Sequence, residues 1–374
     1  MNLAYYISGH GYGHGRRSAE VIRRLLQQDP GLTVHIRTSA PAFIFDALPQ
    51  QRITLAPAAL DPGAIEEDAL RVSREKTLAA VRATVDRAEL LLAGELAFLQ
   101  RTSIRGIVAD IPFLAGELAR RTGLPLIGCT NFTWDWIYEP WLRDTADGRD
   151  LLATISGFYA HYSVLLRMPF GGVSNVFPEV HDTPLVAWQS ELRPDEVFAQ
   201  IPARARVDGP RILVGMRGGC SPQILQRAVA AMPDVTFLVT DTVPPVSSPA
   251  ESRGVSTPTG GLENIVPVTL GPSLVFGDVL SICEGVISKL GYGLAADCAA
   301  MGVGIIWPPR HGFREDSVMV PAAEKVLRLT RIEVEDYLSG NWTGAVRGLL
   351  ATPRKPPVPA DGGPWCARFI LGRM

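Results

Sequence analysis

The sequence predicts an α/β protein made of two Rossmann-like, doubly wound parallel-sheet domains that face one cleft. Two glycine-rich turns carry this prediction, because each follows a strand-like run and precedes a helical one. The first turn, residues 9–16, follows the run 3–8, and the second turn, residues 289–293, follows the run 285–288. Strand-like and helical runs alternate through both halves, which favours parallel sheets with helices on both faces. The length of 374 residues also suits two domains better than one.

The first domain is predicted to span residues 1–200. Apolar runs predict strands at 3–7, 33–37, 106–109 and 125–128. Apolar residues at helical spacing predict helices at 18–28, 77–99 and 114–121. Gly123 and Pro125 end the last of these helices, because neither residue continues a helix well.

The second domain is predicted to span residues 211–362 on the same plan. Its predicted strands are 211–215, 235–240, 264–270, 286–288 and 303–307, and its predicted helices are 222–231, 294–301 and 322–326. Residues 201–210 are polar and contain proline, which predicts a linker, and 244–261 reads as a flexible loop. A short terminal helix within 363–374 is expected to pack back on the first domain.

Composition excludes several classes of protein. The net charge of −2 is unlike the basic face of a dedicated nucleic-acid binder. The five cysteines are odd in number and form no C-x-x-C pair, which favours a reduced, cytoplasmic compartment. No apolar run is long enough for a transmembrane helix. Charged and histidine residues interrupt the N-terminus where a signal peptide needs an apolar stretch.

The first turn is the leading candidate for catalysis. Its glycines allow a sharp turn and a close approach of backbone to a ligand, and the following helix offers free N–H groups to an anion. His14 in such a turn is placed to act as a general base near neutral pH. His10, Gly11 and Tyr12 belong to the same turn. The alternative for both histidines is a backbone-capping role, and the pairs 16–17 and 23–24 read as solvated or phosphate-adjacent arginines.

Asp110 stands at the predicted carboxyl end of a buried strand. Open α/β sheets place their ligand crevice at such strand ends. The carboxylate would therefore orient a histidine from a neighbouring strand end and stabilise its charge. The alternative is that Asp110 caps the next helix.

An aromatic segment, residues 131–141, follows the next strand. It interleaves three tryptophans and a tyrosine with carboxylates, a combination that suits a carbohydrate acceptor. The predicted acceptor contacts here are Asn131, Trp134, Asp135 and Tyr138. The alternative is a loop that packs between the domains.

Three segments of the second half suit a nucleotide sugar. The first, residues 214–221, is a glycine turn that would hold a diphosphate through backbone N–H groups and a charged side chain. The second, residues 288–297, would present phosphate ligands and a carboxylate that binds ribose. The third, residues 308–316, would bind sugar hydroxyls. The donor-binding residues predicted from these segments, with one aromatic for the base, are Met216, Arg217, Gly218, Gly219, Phe276, Ser288, Lys289, Gly291, Tyr292, Gly293, Asp297, Arg310, His311 and Glu315.

Nearly the whole chain resembles a GT-B-fold glycosyltransferase. Residues 288–297 (SKLGYGLAAD) and 308–315 (PPRHGFRE) are similar to the donor signature of the family that includes the UDP-N-acetylglucosamine transferase of peptidoglycan synthesis. Residues 8–17 (SGHGYGHGRR) and 131–138 (NFTWDWIY) also resemble the glycosyltransferase-like N-terminal portion of L-arabinokinases. The resemblance implies an acceptor site in the first domain, with His10, Gly11 and Tyr12 facing the acceptor and His14 as base. It also implies a nucleoside diphosphate sugar on the second domain. Transfer would proceed with inversion.

The chain departs from the family pattern at the residue that would bind the ribose. Asp297 stands where the family usually has glutamate, and this shorter carboxylate implies a shifted sugar or another nucleotide. No D-x-D motif is present, so the sequence predicts neither a metal-bridged diphosphate nor a cofactor beyond the sugar nucleotide. Lys289, Arg217 and helix N-termini would carry the diphosphate charge.

Two other functions stay open on the sequence. One is a nucleotide-sugar hydrolase on the same fold, in which His14 activates water. The other is a non-catalytic nucleotide-sugar sensor, which would have no need of a base. The acceptor, the sugar and base of the donor, the pathway and a homodimeric state are left undetermined.

Overall fold

The computed structural model describes residues 1–68, 70–206, 208–215, 221–240 and 263–374. Two parallel sheets dominate it, as the alternating pattern predicts. The strands of the first half are β1 (Asn2–Ile7), β2 (Thr33–Thr38), β3 (Ile53–Ala56), β4 (Glu66–Asp68), β5 (Arg71–Val72), β6 (Gly106–Asp110), β7 (Leu126–Thr130), β8 (Val164–Arg167) and β9 (Val180–Asp182). Within the described residues the first sheet runs β3-β2-β1-β6-β7-β8-β9, and all its pairs are parallel. β4 and β5 form a small antiparallel pair.

The helices of the first half are α1 (Gly13–Gln28), α2 (Arg74–Asp86), α3 (Ala88–Arg101), α4 (Ala115–Thr122), α5 (Trp134–Leu142), α6 (Ala146–Tyr159) and α7 (Pro194–Gln200). The single helix predicted over 77–99 is two helices, divided at Arg87, whose φ of −99° and ψ of 13° depart from helical values. The aromatic segment, for which the sequence predicts no helix, is mostly the helix α5. The predicted linker contains a short 3₁₀ turn, Ala203–Arg206.

The second sheet repeats the plan of the first. Its strands are β10 (Arg211–Val214), β11 (Thr236–Thr240), β12 (Ile265–Val268), β13 (Gly285–Ile287), β14 (Gly304–Trp307) and β15 (Leu329–Arg331). In the described part of the chain they run β12-β11-β10-β13-β14-β15, all parallel. The predicted loop 244–261 and the predicted phosphate turn, with Met216, Arg217, Gly218 and Gly219, lie outside the described residues.

The helices of the second half are α8 (Pro222–Ala230), α9 (Phe276–Ser281), α10 (Tyr292–Met301), α11 (Glu315–Ala323), α12 (Val334–Ser339), α13 (Thr343–Ala351) and α14 (Gly362–Leu371). The helix predicted at 322–326 was wrong in position, because α11 begins seven residues earlier at Glu315 and tolerates Pro321 inside it. Glu315 and Asp316 in its first turn suit the positive end of the helix dipole.

α1 lies between the two halves. It contacts α10 of the second half and the terminal helix α14. Cys366 of α14 places its sulfur 3.8 Å from the sulfur of Cys129 at the end of β7. A contiguous buried cluster therefore joins the first sheet, α1, α10 and α14.

Each sheet reverses its strand order once, and both reversals border the cleft. In the first sheet the order reverses between β1 and β6, and in the second between β10 and β13. Open α/β sheets form their ligand crevice outside the carboxyl ends of the strands at such a point. The glycine-rich turns after β1 and β13 lie at these two positions. A Cβ placed on Gly293 would lie 3.6 Å from the Cα of Gly13, so the turns face each other closely.

Candidate active site

His14 lies in the first turn of α1, directly after β1. The helix begins at Gly13, five residues earlier than the sequence pattern predicts, so His14 is helical. Gly11 in the preceding turn has a φ of 62°, a conformation that favours glycine. The His14 side chain is buried. The turn thereby fixes the imidazole at the first reversal of strand order.

Asp110 is the last residue of β6 and lies beside β1, where Ile7 is its register partner. Its fully buried carboxylate accepts four hydrogen bonds. Oδ1 is 3.0 Å from His14 Nδ1 and 2.6 Å from Arg17 Nη2. Oδ2 is 2.5 Å from Arg17 Nε and 3.1 Å from Ser18 Oγ. Both oxygens are therefore saturated.

The hydrogen-bond inventory determines the tautomer of His14. Arg17 Nη2 has two hydrogens, and it lies within reach of Asp110 Oδ1, of Thr130 Oγ1 at 2.9 Å and of His14 Nδ1 at 2.8 Å. Oxygens of Asp110 and Thr130 can only accept from Arg17, so they use both hydrogens. His14 Nδ1 then donates to Asp110, and Nε2 is the free acceptor. Among the described residues, none bonds to Nε2.

Electrostatics keep this pair ready for base catalysis. Burial alone would raise the pKa of Asp110, but Arg17 and His14 outweigh it and lower that pKa to about 2. Burial, then the Arg17 charge, lower the pKa of His14 below 6.5, and Asp110 opposes them. At neutral pH the carboxylate is charged and the imidazole is neutral, which is the state a general base requires.

The backbone after Asp110 is strained. Ile111 is a buried, β-branched residue, yet its φ is 89°, which is rare for such a side chain. The Tyr159 hydroxyl donates to the Ile111 carbonyl at 2.7 Å. The Ser8 amide donates to the Asp110 carbonyl at 3.0 Å. Strain held by surrounding contacts is typical of functional sites.

Arg17 extends the network into the second half of the chain. It donates to Asn131 Oδ1, and Asn131 Nδ2 donates to Glu315 at 2.8 Å. Glu315 also accepts from Arg310 at 3.0 Å, and Arg310 pairs with Asp316. The prediction that Arg17 is solvated was wrong, because the side chain is buried. Its position three residues after His14, on the same helix face, was the available signal.

The aromatic segment does not form an open acceptor surface. Trp134 and Tyr138 are fully buried, their rings stack 5.4 Å apart, and the Tyr138 hydroxyl donates to the Gly63 carbonyl at 2.7 Å. Asp135 accepts from Ser156 Oγ and from the Trp136 amide, each at 2.8 Å. The predicted acceptor roles of Asp135 and Tyr138 are therefore corrected to packing roles, since the helix α5 turns both inward.

The first glycine-rich turn, residues 9–16, contacts this buried aromatic group. His10 is partly buried, with its ring centroid 5.3 Å from Trp134 and 5.8 Å from Phe313. Burial, then the charges of His14 and Lys289, hold the pKa of His10 well below 6.5. The His14 centroid lies 6.3 Å from His10 and 6.0 Å from Trp134. Tyr12 instead contacts Phe43, at 5.3 Å.

The predicted donor residues carry two ion pairs with the first half. Lys289 Nζ lies 2.7 Å from Glu66 Oε1. Asp297, which is buried, accepts from Arg16 at 2.9 Å and from the Trp188 amide at 2.8 Å. Burial raises the pKa of Asp297 to about 6, against the effect of Arg16. Neither Lys289 nor Asp297 is free for a ligand in this arrangement.

The other predicted donor residues are divided between the cleft and the core. The Arg16 guanidinium lies 4.8 Å from the Phe276 ring centroid. Gly291 caps α10, whose first-turn amides follow it. Tyr292 is buried, and its hydroxyl contacts the Val186 backbone, so its predicted donor role is corrected to packing between halves. Ser288 bonds weakly to the Gly215 carbonyl at 3.3 Å, and His311 is exposed.

Within the described ranges, no group of three histidine, cysteine or carboxylate side chains is arranged to hold a metal ion. None of the helices described combines the length and apolar character needed to cross a bilayer.

Solved structures share this architecture over almost the full length of the chain. A spinosyn rhamnosyltransferase is similar with a TM-score of 0.60, 14% identity, and coverage of 100% of this chain and 95% of its own. The chain has the GT-B fold. The glycotransferase of kitacinnamycin gives a TM-score of 0.58 at 14% identity, covering 100% and 99%. UGT2 of Phytolacca americana, solved with UDP-2-fluoroglucose and pterostilbene, gives 0.57 at 14%, covering 99% and 94%.

One curated sequence relative shares part of its length with this GT-B chain. L-arabinokinase of Arabidopsis thaliana is 27% identical over 349 residues, which is 91% of this chain and 31% of the relative. The chain thus spans about a third of that protein. No protein-family model matches the chain.

Proposed function

We propose that this chain transfers a sugar from a nucleoside diphosphate sugar, UDP-linked, to an acceptor hydroxyl with inversion. One observation carries the proposal. The buried His14–Asp110 pair, with Nδ1 to Oδ1 at 3.0 Å, lies at the first reversal of strand order. The turn at the second reversal faces it, with Gly293 close to Gly13. A neutral base and an anion-binding helix start thus meet across one cleft.

His14 Nε2 would take the proton from the acceptor hydroxyl. The acceptor oxygen then forms a bond to the anomeric carbon on the face opposite the nucleotide, and the bond from that carbon to the diphosphate oxygen breaks. Asp110 stabilises the imidazolium that forms, through its contact with Nδ1. Lys289 and the amides at the start of α10 would stabilise the departing diphosphate. The scheme uses no metal and no cofactor beyond the nucleotide sugar.

Donor binding would replace the two ion pairs between the halves. Lys289 would exchange Glu66 for phosphate, and Asp297 would exchange Arg16 for ribose hydroxyls. Phe276 would then lie against the base. Arg310 and Glu315, which already form a bonded pair, would contact the hexose. Movement of the domains would accompany this exchange, as in other enzymes that close on substrate.

The fold neighbours support a nucleotide sugar as the donor class. The spinosyn rhamnosyltransferase and the kitacinnamycin glycotransferase are sugar transferases, and UGT2 was solved with UDP-2-fluoroglucose. The buried, free cysteines at 129, 283, 298 and 366 are consistent with a cytoplasmic location, which we propose.

The experiment that tests this function follows nucleotide release. Purified protein is incubated with UDP-, GDP-, ADP- and TDP-sugars, first alone and then with a cell extract, and products are read by mass spectrometry. We expect release that depends on the extract and adds a sugar mass to one of its components. His14→Ala should lower turnover about a hundredfold, the usual share of a general base, with UDP affinity retained.

The matched control is His161→Ala, because His161 is an exposed histidine of the same domain. Its turnover should equal that of the wild type. Unchanged turnover in His14→Ala would reject His14 as the base.

A nucleotide-sugar hydrolase is the second candidate, and one observation favours it. Trp134 and Tyr138 are fully buried, so the acceptor surface expected from them is not exposed. In a hydrolase His14 would activate water instead of an acceptor. Release of free sugar at the same rate without extract would establish the hydrolase and reject the transferase.

A further inference from the structure

A two-stranded hairpin of the first half reaches across to the second half. We call it the strap, and it consists of β4, Glu66–Asp68, and of residues 70–72, which include β5. Both ends of the strap are fixed to the start of α2. The Ser73 amide donates to the Ile65 carbonyl at 2.8 Å, and the Ile65 amide donates to Thr77 Oγ1 at 2.9 Å. The strap is therefore anchored in the first half.

Leu70 of the strap is buried in the core of the second half. It is only 7% exposed, and it belongs to the same buried cluster as Val214, Ile287 and Ile306. These three residues lie at or next to the carboxyl ends of β10, β13 and β14. Because removing a leucine side chain from water is favourable, this contact holds the strap against the second half.

Backbone and charge contacts hold the strap to the same edge of the second sheet. The His311 amide donates to the Leu70 carbonyl at 3.0 Å, and Arg71 and His311 form a parallel bridge. Lys289 Nζ lies 2.7 Å from Glu66 Oε1. His311 follows β14 and Lys289 follows β13, which are adjacent strands of this sheet. The strap thus lies at the carboxyl ends of two neighbouring strands.

The second half makes a reciprocal contact just beyond His311. Phe313 is buried in a cluster of the first half, where its ring centroid lies 5.8 Å from that of His10 and 6.1 Å from that of Phe132. Each half therefore buries one apolar side chain of the other, Leu70 in one direction and Phe313 in the other. This mutual exchange distinguishes the strap from a loop that only rests on a neighbouring surface.

The edge that the strap covers is the edge where the proposed donor would bind. Open α/β sheets place their ligands outside the carboxyl ends of the strands. Lys289 is a proposed phosphate ligand, and the Glu66 carboxylate holds it as a phosphate oxygen would. His311 lies on the segment that leads to Glu315, a proposed hexose ligand. The strap and a bound donor would therefore use the same groups.

We propose that the strap is an autoinhibitory element of the donor site, which must withdraw from Lys289 and His311 before the diphosphate of a nucleotide sugar binds there. The proposal rests on the proposed function for the identity of the ligand, and on the contacts of the strap for the closure. Withdrawal exposes Leu70 and separates the edges of the two halves. Only the withdrawn state binds donor, so the closed strap lowers the apparent donor affinity.

Thiol labelling of Leu70→Cys measures the position of the strap without any turnover. The cysteines at 129, 283, 298 and 366 are buried, and mass spectrometry of the peptide that carries position 70 isolates its signal. Labelling by N-ethylmaleimide should be slow in the protein alone, and saturating UDP should speed it about tenfold or more. The matched control is Leu90→Cys, at an exposed leucine of the first half, where labelling should be fast and unaffected by UDP.

A second variant tests the competition without a label. Leu70→Ser should loosen the strap and tighten UDP binding about tenfold, whereas Leu90→Ser should bind UDP like the wild type. Calorimetric titration gives the affinities. Inorganic pyrophosphate, added to Leu70→Cys in a parallel labelling experiment, shows whether a diphosphate alone displaces the strap.

The outcomes separate the strap from the proposed function. UDP that binds without changing the labelling of Leu70→Cys, and with equal affinity in Leu70→Ser, would overturn the strap and leave the donor site intact. Weaker UDP binding in Leu70→Ser, or labelling that neither UDP nor pyrophosphate changes, would also overturn the strap. If UDP or pyrophosphate displaces the strap while no nucleotide sugar is ever turned over, the transferase function fails and the strap stands.

Discussion

His14 illustrates how burial tunes a single residue. Its neighbours act in opposite directions on its proton affinity, since burial and Arg17 favour the neutral ring and Asp110 favours the charged one. The net effect is a lowered pKa, so the ring is neutral at pH 7. The same Asp110 still orients Nδ1, and Nε2 has no hydrogen-bond partner among the described residues.

The pH dependence of turnover should follow from that lowered pKa. A general base is active when unprotonated, so the rate should fall only when the pH drops through the pKa of His14. We expect kcat/KM for nucleotide release to be flat from about pH 7 to about pH 8 and to fall on an acid limb below 6.5. Rates measured from about pH 5 upward check this. An acid limb with its midpoint at or above pH 6.5 would contradict the assignment of His14 as the general base.

Asp61 gives a second prediction, on stability. Its folded pKa of about 7 is above its unfolded value of 3.8, so the folded state binds the extra proton. The contribution of this group is favourable below 3.8 and is lost as the pH rises through about 7. Asp61→Asn should therefore raise the free energy of unfolding relative to wild type at about pH 8 and change it little at about pH 4.

Urea unfolding at the two pH values measures this difference. Asp46→Asn, at an exposed site, should show no such pH-dependent gain. A gain in Asp61→Asn that is equal at both pH values would mean that packing, and not charge, is responsible.

At the scale of elements, the sequence predicts the strands better than the helices. The runs that became β1, β6 and β10 are short and apolar between turn residues, and their carboxyl ends could be placed at one sheet edge. His14 and Asp110 could therefore be expected to approach each other. Helix α5 was missed because Pro140 and its dense aromatics suggest a loop.

The rest of the site depends on contacts between distant segments. Asp61 follows no periodic pattern, and only the fold brings it to Ser8 and Trp134. The pairing of Asp297 with Arg16 likewise spans the two halves. Neighbours separated by tens to hundreds of residues leave no trace in local spacing, so the pairing of Asp297 with Arg16 could not be predicted from the sequence.

The packing of α4 on α6 gives a prediction for glycine. A Cβ on Gly116 of α4 would lie 1.8 Å from the Phe158 carbonyl oxygen of α6, which is backbone and cannot move aside easily. Gly116→Ala should destabilise the protein by about 1–3 kcal/mol despite the better helix propensity of alanine. Gly157→Ala in α6 is the matched control, because a Cβ there meets nothing within 4 Å and the site is exposed.

The control should stabilise the protein by up to about 1 kcal/mol, the propensity difference between the residues. Thermal or urea unfolding of both variants shows whether each substitution lowers or raises the stability of the protein. Similar effects at the two positions would mean that the α4–α6 contact is looser than the structure has it. Since Tyr159 of α6 holds Ile111, Gly116→Ala should also reduce turnover.

At the scale of the whole molecule, two ion pairs join the halves through groups proposed to bind the donor. Lys289 pairs with Glu66 and Asp297 pairs with Arg16. The first half thus supplies a carboxylate where a phosphate would lie and a cation beside the ribose carboxylate. Donor and first half compete for the same side chains, which couples donor binding to the relative position of the domains.

Competition of this kind predicts that removing a competitor strengthens donor binding. Glu66→Gln should tighten UDP binding by up to about fivefold, because the Lys289–Glu66 pair is about a third exposed and such pairs contribute at most about 1 kcal/mol. Lys289→Ala should weaken UDP binding, and adding Glu66→Gln to it should have no further effect, since the lysine is the shared partner.

Glu67→Gln, at an exposed neighbouring glutamate, is the control and should bind UDP like the wild type. Calorimetric titration of the four variants with UDP gives the affinities. Weaker binding in Glu66→Gln would mean that Glu66 itself helps to hold the nucleotide, and the ion pair would then be part of the donor site instead of its competitor.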